Sequence, residues 1–204
     1  MNAHHNPLST QETDPHDNYG KTVFGFWLFL LNDFIFFGTL FATFVVLGKN
    51  PYWAKLPMRL FHLDYATAQS FLSLFSAFMA GLGSVAAHRK NKKATLGYFS
   101  AAFVFLACFM ALEYLDFKRL IDAGYSWDKT GLLSAFYSLL GTHGLHVLLA
   151  MVWIPVLLVP VYKEGITEKS LTRLACLKML IQFLNIIWIF IYTIVYFMGS
   201  LLYD

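Results

Sequence analysis

Two histidines stand three residues apart inside a strongly apolar part of the chain. His143 and His146 belong to the stretch LLGTHGLHVLLA, which contains no charged residue. An imidazole ring can ligate a metal, exchange a proton or simply make hydrogen bonds. At positions i and i+3 the two rings share one face of a helix. Which chemistry they support depends on the other polar side chains that reach the same depth.

Few other ionisable or amide side chains fall inside apolar segments. They include Asn32, Asp33, Glu113, Gln182 and Asn185. Such groups are costly in lipid, so by default they face protein or water. With a rise of 1.5 Å per residue, Asp33, His146 and Asn185 lie about 13 to 18 Å from a span end, close to the bilayer midplane. Gln182 and Asn185 also share a helix face, which predicts hydrogen bonds to the histidine-bearing helix.

A metal centre is the first chemistry to consider, and the available ligands disfavour it. A haem with two histidine ligands in a bundle takes them from positions a turn or more apart or from two helices, and a di-iron site needs several Glu and Glu-x-x-His pairs. A catalytic zinc needs three protein ligands. His62 and His88 fall in a loop and at a span end. We therefore expect no metal ligand and no catalytic residue, with His143 and His146 as structural hydrogen-bonding groups.

The carboxyl groups of Asp33 and Glu113 leave a choice between proton relay and structural partner. A buried carboxyl group can stay protonated and donate one hydrogen bond. A relay across the membrane needs polar groups at successive depths, and one half of the bundle offers few besides Asp33 and Gln182. The structural interpretation is favoured, and transport by this chain alone is poorly supported.

The composition indicates what kind of element positions these groups. The chain has 204 residues, of which 58% are hydrophobic and 13% charged, and this indicates an integral membrane protein. The segments long enough to span as helices cover residues 24–47, 68–87, 96–115, 133–161 and 174–202. We predict an all-α polytopic bundle of five transmembrane helices, residues 24–204, after a disordered polar tail, residues 1–23.

The charges in one loop predict the orientation of the bundle. The sequence HRKNKK, residues 88–93, places four basic residues between the second and third spans. Positively charged loops stay on the cytoplasmic side, so this loop and the N-terminus are expected there, with the C-terminus on the opposite side. Arg89 and Lys90, together with Trp27, are candidates for contact with lipid headgroups.

Four stretches carry a resemblance to a known family. They read FGFWLFLLNDFIFFGTLFATFVVL, ALEYLDFKRLI, SAFYSLLGTHGLHVLLAMVWI and IQFLNIIWIFIYTIVYFMGS. In order and spacing they resemble subunit III of the haem–copper oxidases, and most closely its five-span form in bacterial cytochrome bo-type ubiquinol oxidases. The resemblance extends over all spans, residues 24–200.

The resemblance implies a non-catalytic subunit of a terminal quinol oxidase, a complex that reduces oxygen to water and pumps protons across the bacterial inner membrane. The C-terminus is then periplasmic, and the haems and copper belong to the partner subunit I. It also implies packing on subunit I and other oxidase subunits, with phospholipid in a cleft between helices and no nucleic-acid partner. Asp33, Glu113 and the motif residues Thr142, His143 and His146 match family positions, which implies lipid-cleft and helix-packing roles.

The fifth span departs from the family pattern. Where the family usually has a histidine followed three residues later by an aspartate, this chain has Gln182 and Asn185. Amides can hydrogen-bond across helices but do not exchange a proton near neutral pH.

Two other classes of protein stay open as alternatives. One is a haem b or quinone-binding membrane anchor that uses His143 or His146, and the other is a small proton-coupled transporter.

Overall fold

A computed structural model describes residues 15–48 and 63–197. In chain order the helices are α1 (Pro15–Gly48), α2 (Leu63–His88), α3 (Lys92–Asp122), α4 (Gly131–Glu164) and α5 (Glu168–Ile191), which continues as a π-helical segment (Tyr192–Phe197). No strand occurs within these two ranges. All five helices are long and apolar enough to cross a membrane, so the predicted all-α polytopic class is confirmed.

The helices extend beyond the apolar segments that predicted them. Helix α3 runs from Lys92 to Asp122 and continues past the predicted span end at residue 115. Helix α1 begins at Pro15, so residues 15–23, which were expected in the polar tail, are helical. Proline is well suited to a first helical position because its missing N–H has no intrahelical partner there. The rest of the expected tail, residues 1–14, lies outside the described residues, as do residues 198–202 of the fifth predicted span.

Side-chain caps and one glycine define the short connections. Asn91, Thr130 and Thr167 each accept a hydrogen bond from the backbone N–H three residues later, and so begin α3, α4 and α5. These caps satisfy N–H groups that have no partner inside the helix. Helix α4 ends at Glu164 and is capped by Gly165, whose φ of +85° is strained for any residue with a Cβ.

Helices α2 and α3 pack closely because small residues line their contact. Ser76 Oγ of α2 donates to the backbone oxygen of Ala102 on α3 at 3.2 Å. The ring of Phe99 packs against the backbone of Gly83 so tightly that a Cβ added there would lie 2.8 Å from a ring carbon. Small side chains bring the backbones of membrane helices within such contact distances.

The α2–α3 and α4–α5 connections lie at the same end of the bundle. Lys90 Nζ is 3.8 Å from Glu168 Oε1, and Lys92 Nζ lies 5.3 Å from the centroid of the Tyr162 ring. We call this end, which carries the HRKNKK loop, the basic end. Helix α1 starts at the basic end and packs along α4 and α5.

Candidate functional site

Asp33 of α1 and His146 of α4 meet near the middle of both helices. His146 Nε2 is 3.2 Å from Asp33 Oδ2, and both side chains are largely buried. His146 Nδ1 donates to the backbone oxygen of Thr142 at 2.8 Å, since a carbonyl only accepts. The Nε2–Oδ2 contact has ion-pair distance without hydrogen-bond geometry.

His143 binds a different helix although it lies only one turn away from His146. Its Nε2 donates to the backbone oxygen of Leu184 on α5 at 3.1 Å. The ring is buried between Phe109, at a centroid distance of 5.7 Å, and Trp188, at 5.4 Å. Its Nδ1 has no hydrogen-bond partner among the described residues. His146 therefore joins α4 to α1, whereas His143 joins α4 to α5.

Glu113 of α3 packs against the backbone of α4 at Gly144, the residue after His143. Its side chain is 2% exposed, and neither carboxyl oxygen has a hydrogen-bond partner within the described ranges. A Cβ placed on Gly144 would lie 3.1 Å from Glu113 Oε2. The second glycine of the GTHGLH motif thus leaves the space that the Glu113 carboxyl group occupies.

The spacing of Gln182 and Asn185 predicted hydrogen bonds to α4, the histidine-bearing helix, but neither side chain makes one within the described residues. Asn185 Oδ1 instead accepts a hydrogen bond from Ser73 Oγ of α2 at 2.9 Å. His143 takes the backbone oxygen of Leu184, so no side-chain amide of α5 is needed there. Gln182 on α5 and Asn32 on α1 are both exposed.

Two further polar contacts between helices involve side chains that are not among the candidate residues named above. Tyr196 Oη donates to Asp116 Oδ2 at 3.3 Å, and Trp188 Nε1 donates to Ser70 Oγ at 3.0 Å. Asp116 lay just outside the predicted third span, which ended at residue 115. Its i+3 spacing from Glu113 placed it on the same helix face and was the available signal.

An apolar cavity of about 560 Å³ opens between α1, α4 and α5. It is lined by Phe26, Phe29, His146, Leu149, Val152, Trp153, Val156 and Leu180. His146 marks its midplane end, and the other lining residues of α1 and α4 follow toward the basic end. Trp27 is 53% exposed and is not a lining residue. Arg89 and Lys90 are exposed at the basic end.

The described ranges contain no group of three or more His, Cys, Asp or Glu side chains that could hold a metal ion. Cys108 and Cys176 are free thiols. The fold and this arrangement define a multi-pass membrane protein in which Asp33, His143, His146 and Asn185 each contact another helix of the bundle.

Comparison with known proteins assigns the chain to a family. No protein-family profile matches it. It is 36% identical over 186 residues to cytochrome bo(3) ubiquinol oxidase subunit 3 of Pseudomonas putida, which covers 91% of this chain and 90% of the relative. The corresponding Buchnera aphidicola subunit is 30% identical over 202 residues, 98% of each chain. Quinol oxidase subunit 3 of Bacillus subtilis is 33% identical over 177 residues, 87% of each. The chain belongs to the family of quinol oxidase subunit 3, which confirms the resemblance seen in the sequence.

Proposed function

We propose that this chain is the non-catalytic subunit III of a terminal quinol oxidase in the bacterial inner membrane. The observation that carries the proposal is the alignment, over 87% to 98% of the chain, with proteins named as that subunit. The complex reduces oxygen to water and pumps protons, and a partner, subunit I, holds its haems and copper. This chain packs on subunit I and supports its sustained turnover.

The contacts of the polar side chains support a role in packing. Asp33, His143, His146 and Asn185 each contact another helix of the bundle. A haem anchor needs a histidine nitrogen directed at iron. The buried histidine nitrogen that lacks a hydrogen-bond partner among the described residues, His143 Nδ1, belongs to a ring enclosed by aromatic side chains.

The apolar cavity supports the binding of phospholipid. Its lining is aliphatic and aromatic apart from His146, which suits an acyl chain that runs from the basic end toward the midplane. Arg89 and Lys90 are exposed at that end, where cationic side chains attract anionic headgroups. We place Trp27, which is exposed beside the lining residue Phe26, in the same lipid contact.

The orientation follows from the basic end. Arg89, Lys90, Lys92 and Lys93 are concentrated in and beside one short connection, and such loops stay in the cytoplasm. The N-terminus is then cytoplasmic and the C-terminus periplasmic. Protease accessibility of tags at the two ends, in sealed inner-membrane vesicles of known sidedness, tests this assignment.

Removal of the chain from the complex tests the proposed function. We expect an oxidase purified without this chain to keep its haem spectrum and its initial rate of quinol oxidation, and to lose activity over repeated turnovers. Adding back the purified chain should restore sustained activity. An immediate loss of all oxidation with intact haems would place a catalytic step in this chain and contradict the proposal.

A further inference from the structure

Two amide side chains face outward at the middle of their spans. Gln182 lies midway along the span Glu168–Tyr196, and Asn32 lies close to the midpoint of Tyr19–Gly48. Both are exposed. No hydrogen bond to either amide occurs among the described residues. They differ in this respect from Asn185, which binds Ser73.

An exposed amide at this depth is in an unfavourable place if lipid surrounds it. An amide carries two N–H donors and an acceptor oxygen, and hydrocarbon can satisfy none of them. Lipid headgroups lie about 15 Å from the midplane, which is beyond the reach of a glutamine or asparagine side chain. A polar group so placed is expected to face protein or water.

Exposed threonine hydroxyls on the same helices avoid an unsatisfied polar group by bonding to their own backbone. Thr39 Oγ1 of α1 donates to the backbone oxygen of Phe36 at 2.7 Å, and Thr193 Oγ1 donates to that of Ile189 at 2.8 Å. Each threonine is exposed and needs no partner beyond its own helix. The two amides lack such local bonds, and one backbone oxygen could satisfy only part of an amide.

We infer that Asn32 and Gln182 mark the positions where transmembrane helices of other oxidase subunits contact this chain. The partner at each position is a helix that presents a hydrogen-bonding side chain or a free backbone group at the midplane. The inference rests on the proposed function, because it takes the partner helices from the oxidase. The inference goes beyond that function because it names two surfaces, one on α1 and one on α5, through which the other subunits contact this chain.

The test uses the intact complex, purified through a tag on this chain from its native membrane. The variants are Asn32→Leu and Gln182→Leu, and the matched controls are Thr39→Val and Thr193→Val on the same helices. The measured quantity is the ratio of haem to this chain after stepwise increases in detergent. A lower ratio reports release of this chain from the haem-bearing subunits. We expect each amide variant to raise the dissociation constant for that release about 3-fold to 30-fold, the range that corresponds to one hydrogen bond between membrane helices. The threonine controls should match the wild type.

Photo-crosslinking separates a lost contact from a folding defect. A photoreactive amino acid replaces Gln182 or Asn32 in otherwise wild-type chain, and irradiation is performed in the native membrane. A product joined to another oxidase subunit supports the inference at that position. A product joined only to lipid, or leucine variants that retain haem as the wild type does, would overturn it there. A wild-type chain that brings down no haem would instead overturn the proposed function.

Discussion

At the scale of single residues, the contact between Asp33 and His146 holds α1 to the rest of the bundle. Substituting only His146 by leucine leaves the buried Asp33 carboxyl group without its neighbour, and leaving a buried polar group unpaired is expected to destabilise the chain by about 1 to 3 kcal/mol. The double variant Asp33→Leu with His146→Leu should recover most of this loss. The measurement is the temperature at which this chain becomes protease-sensitive in the purified complex. Equal losses in the single and double variants would contradict the pairing.

His143 provides a second prediction at this scale. Its hydrogen bond to the Leu184 oxygen joins α4 to α5, so His143→Leu should lower the yield of assembled complex and leave the haem spectrum of the remaining complex unchanged. A buried hydrogen bond of this kind contributes about 0.5 to 1.5 kcal/mol. Leu148→Ala, at an exposed position of the same helix, is the control. A normal yield with an altered haem spectrum would favour the haem-anchor alternative.

The depth of single residues in the membrane was predictable from the sequence, but the contacts between them were not. The residue types and depths of Asp33 and His146 follow from the sequence, because helical rise fixes depth along a span. Their contact does not follow, because it depends on which helices become neighbours. The sequence placed His143 and His146 on one helix face, and residues i and i+3 diverge enough in direction to reach two different helices.

At the scale of elements, the α2–α3 contact depends on Gly83. A Cβ there would lie 2.8 and 2.9 Å from two carbons of the buried Phe99 ring, so Gly83→Ala forces the helices apart or displaces the ring. We expect a destabilisation of about 1 to 3 kcal/mol, measured by the same protease assay. Gly81→Ala is the matched control, because a Cβ at Gly81 meets nothing within 4 Å. A neutral effect of Gly83→Ala would mean that the helices are packed less closely.

The number and type of the elements were predictable from the sequence, and their ends were not. An apolar segment marks the hydrocarbon region, whereas a helix ends where its backbone hydrogen bonds stop. Helix α3 therefore continues through Arg119 to Asp122. That extension brings Asp116 into the helix and into contact with Tyr196.

At the scale of the whole molecule, the cavity between α1, α4 and α5 joins the fold to the proposed lipid. Val152→Trp should fill part of it and reduce the phospholipid that copurifies with the complex by about one molecule, as measured by mass spectrometry of extracted lipid. Val104→Trp on α3 is the control, since Val104 is exposed and does not line the cavity. Unchanged lipid content in Val152→Trp would remove this support for the lipid role. The cavity itself was not predictable, because it arises from the spacing of three helices.

We propose that this chain serves a cofactor-bearing complex and holds no cofactor itself. The most direct test is an absorption spectrum and a metal analysis of two preparations, the chain affinity-purified from its native membrane and the same chain expressed alone. We predict haem and copper in the first preparation, within a larger complex, and a colourless second preparation. A stoichiometric, reducible haem in the chain expressed alone would contradict this prediction and favour the haem-anchor alternative.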